Sequence, residues 1–326
     1  MNNTIAIIGG GSWATALCKI LTDNNQHVHW YMRDTQAILH IQQYGHNPNY
    51  ISTATLNVNN ITLSYNPQQI VDACQTLIIA IPAAYLHDTL QGINLTNKNI
   101  VSAIKGIIPS TNQIVGDYLQ TQFNQPLANI AVIAGPCHAE EVAMERLSYL
   151  TIASQNAVLA SNVAQALNCR YINTSINDDI YGTEYSAVLK NIMALASGIC
   201  HGIGYGDNFQ AVLVSTAIQE IKRFVDAVHP INRDINDHAY LGDLLVTAYS
   251  QFSRNRTFGA MIGKGYSVKA AQLELNMVAE GYFAVKCIHH INQQHNVYMP
   301  ITNAVYNILY LNHNVTNEIK QLTELL

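Results

Sequence analysis

The first half of the chain alternates short apolar runs with segments of helical periodicity. The apolar, often β-branched runs predict strands at 4–8, 27–32, 76–81, 99–104, 129–134 and 148–154. Segments between them carry apolar residues three or four positions apart and predict helices at 12–24, from 35 onward, and at 67–73, 84–90, 113–122, 138–146 and 156–167. This alternation is typical of an α/β fold with a doubly wound, mostly parallel sheet. Ligands bind such sheets at the carboxyl ends of the strands.

The second half has a different pattern, with long helical windows and few alternating β-branched residues. Helices are predicted at 185–199, 209–228, 238–249, 268–276 and 281–292. We therefore expect an α/β domain at 1–178 followed by an all-helical domain at 179–326. The boundary is placed in "NTSINDD" at 173–179, because polar and turn-forming residues cluster there.

Composition supports this organisation and excludes several classes of protein. The 326 residues exceed the usual size of a single core, and 49% hydrophobic with 11% charged residues is typical of globular proteins. The net charge of -5 arises without a basic run, which excludes a nucleic-acid surface. No window approaches the ~20 apolar residues of a membrane span, and the N-terminus lacks a signal-peptide pattern, so a cytoplasmic protein is expected.

Cysteine and histidine residues give no metal or disulfide signature. The six cysteines include no C-x-x-C pair and have no regular spacing. Thirteen histidines occur, but no carboxylate or cysteine recurs at ligand spacing around them. No metal site is predicted.

A glycine-rich turn follows the first predicted strand. Gly9, Gly11 and Ala14 fit G-x-G-x-x-A between a strand and a helix, the context in which this pattern is specific for dinucleotides. Gly9 permits the tight turn and Gly11 removes a side chain that would keep the backbone from a pyrophosphate. A structural turn that binds nothing is the alternative. The motif predicts a Rossmann-like dinucleotide-binding domain at 1–178.

The residues after the second strand bear on the choice of cofactor. Arg33 stands where a residue contacting the adenosine ribose is expected, and an arginine there accepts the 2′-phosphate of NADP. The adjacent Asp34 is compatible with NAD. We expect NADPH or NADH, with NADP favoured.

Two lysines are candidates for a functional role. One is a lone charge in an apolar segment, and the other lies at the expected ligand-binding edge of the sheet. Lys190 in "EYSAVLKNIMALASG" is the only formal charge between Tyr185 and Tyr205, and its helical face carries small residues. This face is either the floor of a ligand cleft or a surface for helix packing with a snorkelling lysine. Lys105 follows a predicted strand at the ligand-binding edge of the sheet, with an exposed loop lysine as its alternative.

Two further motifs in the second half carry polar side chains suited to chemistry. Asp243 precedes an apolar helical run, so it is either a helix N-cap or a partner for Lys190. Arg254 lies in "SRNR", where a guanidinium fork with serine and amide neighbours suits a phosphate. The alternative for this motif is a solvated basic turn. The glycine-rich "HGIGYGDN" at 201–208 follows a helix rather than a strand, so it predicts a sharp helix–helix turn.

Taken together, these motifs resemble a known family across nearly the whole chain. The segments in question, in order, are "IAIIGGGSWATALCKIL", "AIPAAYL", "SAIKGI", "AGPCHAEEVA", "YSAVLKNIMALASGICHGIGYGDN", "YLGDLLVT", "SRNRTFGAMIGKG" and "VAEGY". They are similar to those of the bacterial-type NAD(P)-dependent glycerol-3-phosphate dehydrogenases. The resemblance implies reversible reduction of dihydroxyacetone phosphate to sn-glycerol 3-phosphate for phospholipid synthesis. It also implies a helical substrate-binding domain at 179–326 and a homodimer.

The resemblance also implies roles for individual residues. Lys190 matches the catalytic lysine and Asp243 its acidic neighbour. Cofactor contacts are implied at Gly9, Gly11, Ser12, Trp13, Arg33, Lys105, Ala139, Arg254, Val278 and Glu280. Substrate contacts are implied at Lys105, Gly135, Cys137, Lys190, Asp243, Ser253, Arg254 and Asn255.

The chain departs from the family pattern at two positions. Ala14 replaces a common glycine, which the fingerprint tolerates. Cys137 replaces the usual serine or threonine, and a thiol is a poorer hydrogen-bond partner than a hydroxyl. We interpret Cys137 as a small, inert turn residue, with a reactive thiol at a helix N-terminus as the alternative.

Two other functions fit parts of the pattern. A related β-hydroxyacid-type dehydrogenase shares the sheet, the helical domain and a catalytic lysine, but a carboxylate substrate does not require "SRNR". A non-catalytic dinucleotide-sensing module would keep the glycine turn and dispense with Lys190, Asp243 and Arg254. The retained motifs favour the dehydrogenase of a phosphorylated substrate.

Overall fold

A computed structural model describes residues 4–275 and 279–326. The chain divides into two compact units. Unit 1 comprises Met1–Ile104 with Val115–Ile180, and unit 2 comprises Lys105–Ile114 with Tyr181–Leu326. The short segment 105–114 thus groups with the second unit although it lies within the first half of the chain, which the order of elements along the sequence does not indicate.

Unit 1 is built around one eight-stranded sheet. Its strands are β1 Ile5–Ile8, β2 Val28–Tyr31, β3 Ile61–Ser64, β4 Thr76–Ile79, β5 Asn99–Ser102, β6 Ile130–Ala134, β7 Ser148–Ala153 and β8 Ile172–Asn177. Their order in the sheet is β3-β2-β1-β4-β5-β6-β7-β8. All neighbours are parallel except β6 and β7. The predicted mostly parallel α/β sheet is therefore confirmed.

The strand prediction was incomplete at both edges of this sheet. β3 and β8 were not predicted, and placing a loop at 173–179 was wrong because β8 occupies most of it. β8 pairs only with β7 and leaves most of its side chains partly or fully exposed. An edge strand of this kind needs no apolar run, so its polar residues resemble a loop in the sequence.

The described residues of unit 1 include seven α-helices in addition to the sheet. They are α1 Ser12–Asp23, α2 Thr35–Tyr44, α3 Pro67–Ala73, α4 Leu86–Leu90, α5 Val115–Phe123, α6 Ala139–Ala143 and α7 Ala157–Leu167. Asp34, Asn66 and Asn156 cap α2, α3 and α7 by accepting two backbone N–H groups each, which explains where these helices begin. In α1 the N-cap is Gly11, with no side-chain cap and no acidic residue in the first turn.

Unit 2 is helical in the described residues. Its helices are α8 Ile180–Gly202, α9 Asp207–Val228, α10 Asp243–Tyr249, α11 Arg254–Gly263, α12 Val268–Glu274, α13 Glu280–His295, α14 Pro300–Tyr310 and α15 Val315–Thr323, and a π-helical turn His238–Gly242 leads into α10. α8 and α9 are joined by a tight turn with Gly204 at φ +99°, as the sequence predicts for "HGIGYGDN". Among the described helices, none is long and apolar enough to cross a membrane.

The sequence analysis did not predict α11, α14 or α15. For α11, the way the helix packs explains why its sequence does not look helical. This helix packs its backbone directly on α8: a Cβ atom on Gly259 would lie 2.2 Å from the carbonyl oxygen of Leu195, and one on Gly263 would lie 2.4 Å from that of Ile199. Gly198 and Gly202 of α8 make the reciprocal approaches to Arg256 and Ala260. Close helix packing therefore requires glycines that reduce the helical propensity of α11.

Candidate functional site

The glycine turn lies where the sheet order reverses, beside the carboxyl ends of β1 and β4. Gly9 has φ +131°, and a Cβ atom there would lie 2.3 Å from the carbonyl oxygen of Ala80. Only glycine fits this position, because both the backbone conformation and the neighbouring chain exclude a side chain. A Cβ atom on Gly11 would meet no atom within 4 Å. The side of the turn at Gly11 is therefore open to a ligand.

This open turn fits the diphosphate of a dinucleotide. α1 begins directly after Gly11 and presents its first N–H groups without a side-chain cap. Such an end of a helix binds anions. Ser12 and Trp13, both implied as cofactor contacts, are the first two residues of α1 and are partly exposed. The residues present are thus suited to NAD(P), which would supply or accept the hydride.

The two charged residues after β2 have different surroundings. Asp34 Oδ1 accepts from the backbone N–H groups of Gln36 and Ala37 at 2.9 and 3.1 Å, and Asp34 Oδ2 accepts from Asn49 Nδ2 at 3.1 Å. Both carboxylate oxygens of Asp34 are therefore engaged within unit 1. Arg33 precedes this cap and is exposed.

The motif after β6 lies in unit 1. Gly135 has φ +113°, and a Cβ atom on it would lie 2.7 Å from the carbonyl oxygen of Tyr149, so the site requires glycine. Cys137 is only 7% exposed and belongs to the hydrophobic core of unit 1. This burial favours the inert turn residue over the reactive thiol. Ala139 begins α6 and is equally buried.

In unit 2, two lysines contact the carboxylate of Asp243. Lys190 Nζ donates to Asp243 Oδ1 in a buried ion pair, with the two residues 4% and 1% exposed. Lys105 Nζ lies 3.5 Å from Asp243 Oδ2. Asn191 Nδ2 donates to the backbone oxygen of Lys105 at 2.8 Å, which holds the 105–114 segment on α8. Residues far apart in sequence thus form one charged cluster.

This burial changes the acidity of Lys190. Desolvation lowers the pKa of its ammonium group to about 7, while the negative charge of Asp243 opposes that decrease and the positive charge of Lys105 adds to it. A lysine with a pKa near neutrality exchanges its proton readily at physiological pH. The cluster therefore has the property required of a general acid and base.

The structure decides between the alternatives for Asp243. It is the first residue of α10, has helical dihedral angles, and follows Gly242, which occupies the N-cap position. Its carboxylate contacts lysines, so the alternative reading of Asp243 as an N-cap is wrong. The preceding π-helical turn is a feature often found at functional sites. Thr247 Oγ1 donates to the backbone oxygen of Asp243 at 2.6 Å and fixes this first turn.

Part of the small-residue face of α8 serves helix packing. Ser197 Oγ lies 2.9 Å from the backbone oxygen of Ala248 and 2.8 Å from Gln210 Oε1. Ala194, between Ser197 and Lys190, is fully buried. The lysine itself does not snorkel into solvent, because its side chain is only 5% exposed.

The "SRN" motif lies at the start of α11. Ser253 caps this helix by accepting from the backbone N–H of Arg256, and Arg254 is its first residue. Asn255 Oδ1 accepts from the backbone N–H of Gly281 at 2.9 Å, and a Cβ atom on Gly281 would lie 2.7 Å from the backbone oxygen of Asn191. α8, α11 and α13 therefore meet at this point. An arginine at a helix N-terminus is a suitable site for a phosphate group.

One further implied cofactor contact, Glu280, belongs to α13. Glu280 is its first residue and is partly exposed. Val278 lies outside the described residues. The sequence analysis assigned no functional role to Thr247 or Asn191. Neither residue has a motif of its own, and the only signal was proximity to Asp243 and Lys190 in the chain.

The fold and these features define a class of protein. A doubly wound sheet with a dinucleotide turn, linked to a helical unit that carries a buried lysine–carboxylate pair, is the architecture of a nicotinamide-dependent dehydrogenase. Two family models match the chain: the N-terminus of NAD-dependent glycerol-3-phosphate dehydrogenase at residues 4–160, and its C-terminus at residues 179–320. The chain belongs to the NAD-dependent glycerol-3-phosphate dehydrogenase family.

Individual relatives agree with this assignment. Glycerol-3-phosphate dehydrogenase [NAD(P)+] of Staphylococcus carnosus (strain TM300) is 33% identical over 94% of this chain and 93% of the relative. The enzyme of Staphylococcus aureus (strain JH9) is 32% identical over 98% and 97%. The crystal structure of glycerol-3-phosphate dehydrogenase from Coxiella burnetii has a TM-score of 0.91 at 27% identity and 99% coverage of both chains. A D-mandelate dehydrogenase structure with NADH, at 15% identity and a TM-score of 0.63, shares the fold alone.

Proposed function

We propose that this protein catalyses the reversible NAD(P)H-dependent reduction of dihydroxyacetone phosphate to sn-glycerol 3-phosphate, as a cytoplasmic homodimer that supplies phospholipid synthesis. The observation that carries the proposal is the buried ion pair of Lys190 and Asp243, with Lys105 on the second carboxylate oxygen. The family and its relatives support the same reaction.

Lys190 has the role of proton donor in this reaction. Reduction of a ketone places a hydride on carbon and a proton on oxygen, so an acid has to lie within hydrogen-bond reach of that oxygen. The Lys190 ammonium, with a pKa of about 7, supplies this proton and recovers it in the reverse direction. Asp243 orients the ammonium group and maintains its charge. Lys105 adds a second cation that contacts the cofactor and the substrate.

The start of α11 binds the substrate phosphate. Arg254 supplies paired guanidinium donors. Ser253 and Asn255 hold the helix start in place through the cap and the bond to Gly281. In unit 1, Gly135 and Cys137 contribute substrate contacts through their backbone, since the Cys137 side chain is buried in the core.

Arg33 favours NADPH over NADH. Asp34 already accepts three hydrogen bonds within unit 1, which leaves its carboxylate little remaining capacity for ribose hydroxyl groups. Arg33 is exposed next to it and can pair with a 2′-phosphate. The remaining cofactor contacts are those implied for the turn, for Ala139, and for Arg254, Val278 and Glu280.

Steady-state assays with purified protein test the function. NADPH and NADH oxidation is followed with dihydroxyacetone phosphate, with unphosphorylated dihydroxyacetone, and with a panel of 2- and 3-keto acids. We expect turnover of the phosphorylated ketone only. Turnover of a keto acid instead would identify a β-hydroxyacid-type dehydrogenase, and cofactor binding without turnover of any ketone would identify a sensing module.

The pH dependence of kcat/KM should reveal the acidity of Lys190. Reduction requires the ammonium form, so its rate is expected to be constant below pH about 7 and to fall towards tenfold per pH unit above it. Oxidation of glycerol 3-phosphate requires the neutral amine, so its rate should rise through the same pH range. Asp243→Asn removes the charge that raises the pKa of Lys190, so the falling limb should move to lower pH. Unchanged profiles in Asp243→Asn would contradict the coupling.

Arg33→Ala should change the preference between the two cofactors. Loss of the 2′-phosphate partner is expected to raise KM for NADPH about tenfold or more, as for a lost charge-assisted hydrogen bond. KM for NADH should change less than about threefold. The reverse pattern, with NADH affected more than NADPH, would refute the role of Arg33.

A further inference from the structure

The carbonyl groups of the glycine turn are held by buried side chains from elsewhere in unit 1. Trp30 Nε1, on β2, donates to the backbone oxygen of Gly9 at 2.6 Å. Asn47 Nδ2, in the segment after α2, donates to the backbone oxygen of Gly10 at 3.2 Å. Two consecutive peptide groups of the turn therefore have fixed orientations.

The next carbonyl group of the turn is also engaged. The backbone oxygen of Gly11 accepts from the N–H and the hydroxyl group of Thr15, each at 3.0 Å. Asn47 Nδ2 also lies 2.8 Å from Thr15 Oγ1, and Asn47 Oδ1 accepts from the N–H of Asn49 at 3.0 Å. Asn47 thus uses both ends of its amide, and Trp30, Asn47 and Thr15 are each fully buried.

These contacts determine where the N–H groups of the turn point. A trans peptide group is planar, and its C=O and N–H bonds point in opposite directions. Since the Gly9 carbonyl points to Trp30 and the Gly10 carbonyl points to Asn47, the N–H groups of Gly10 and Gly11 point away from these buried donors. Backbone N–H groups oriented in this way are those that a glycine turn offers to phosphate oxygens.

Because the turn consists of glycines, its peptide groups need other residues to fix their orientation. Glycine residues have the widest choice of backbone conformations, so a turn of three consecutive glycines loses much entropy when its peptides become ordered around an anion. If the protein orders them beforehand, the ligand no longer bears that cost. Trp30 and Asn47, which are both buried, order the peptides of the turn by their hydrogen bonds to its carbonyl groups.

We propose that Trp30 and Asn47 are positioning residues for the cofactor, which orient the Gly10 and Gly11 N–H groups towards its diphosphate by holding the carbonyl groups of Gly9 and Gly10. This inference rests on cofactor binding by the turn and assigns a role to two residues outside the glycine motif. It predicts that their contribution is specific to ligands that carry a diphosphate.

Binding measurements on Trp30→Phe, Asn47→Asp and Asn47→Ala test the proposal. Trp30→Phe keeps an aromatic ring and loses the donor, while Asn47→Asp keeps the shape and loses the donor. The affinities for NADPH, NADH and ADP are measured by titration, and that for adenosine by displacement of NADH. Each variant is expected to bind ADP and both cofactors about five- to tenfold more weakly, as for a lost hydrogen bond, with adenosine binding and the NADPH to NADH ratio unchanged.

A matched control separates this effect from general damage. Ile41→Val removes a methyl group from a fully buried side chain of α2, outside the glycine motif, so it should lower the melting temperature while leaving ADP affinity unchanged. Unchanged ADP affinity in Trp30→Phe and Asn47→Asp would overturn the proposal, as would equal losses for ADP and adenosine. Wild-type protein that bound neither ADP nor NADH would instead overturn cofactor binding itself.

Discussion

Replacing Lys190 by alanine is expected to lower kcat for reduction of dihydroxyacetone phosphate by about 10²–10⁴-fold, the usual contribution of a general acid. The affinity for NADPH should remain within about threefold, because Lys190 is proposed to contact the substrate and is not among the proposed cofactor contacts. Asp243 keeps Lys105 as a cation partner in this variant, so the carboxylate is not left without a counter-charge. Stopped-flow and steady-state rates, with cofactor titration, measure both quantities.

Two further variants show whether the lysine acts by its proton or only by its charge. Lys190→Arg keeps a cation on Asp243, but a guanidinium group does not give up its proton in proteins. We expect it to be nearly as slow as Lys190→Ala. Lys222→Ala removes a lysine from the exposed face of α9, where its side chain is 48% exposed, and should leave kcat unchanged. Near-normal turnover by Lys190→Arg would mean that the lysine stabilises charge without donating a proton.

Gly259→Ala should cause a large loss of stability. The added Cβ atom would lie 2.2 Å from the backbone oxygen of Leu195, so α8 and α11 have to move apart. Overpacking of this kind costs about 1–3 kcal/mol, which corresponds to a decrease of roughly 2–12 °C in the melting temperature for a unit of this size. The displacement also moves Arg254 at the start of α11, so KM for the phosphorylated ketone should rise. Differential scanning calorimetry and steady-state kinetics report the two effects.

Gly206→Ala is the control for this change. A Cβ atom on Gly206 would meet nothing within 4 Å, and its φ of −85° is accessible to alanine. Gly206 is the N-cap of α9, where alanine is less favourable than glycine, so a loss below about 1 kcal/mol is expected. If Gly259→Ala were as stable as Gly206→Ala, the close approach of α8 and α11 would not be required.

Much of the fold could be predicted from the local pattern of apolar and polar residues in the sequence. Six of the eight strands and the alternation with helices followed from apolar runs, because strands buried on both faces need continuous apolar residues. β8 was missed since an exposed edge strand has no such requirement, and α11 was missed since its glycines serve the contact with α8. In both cases a tertiary neighbour, rather than local propensity, decides the secondary structure.

Some residues of the site were also indicated by the sequence, whereas others were found only in the structure. The glycine turn was evident from its motif, and the resemblance to a family indicated Lys105, Lys190 and Asp243 together. Trp30 and Asn47 carry no motif, because each acts on the turn through a contact between distant parts of unit 1.

The amino-acid sequence by itself determined the alternation of strands and helices, the position of the dinucleotide turn, and the presence of Lys190 as the one formal charge between Tyr185 and Tyr205. Only the tertiary structure decided that the 105–114 segment joins unit 2, that Asp243 pairs with lysines instead of capping α10, and that the pKa of Lys190 falls to about 7. The physical reason is that desolvation and charge interactions depend on atoms brought together from distant parts of the chain.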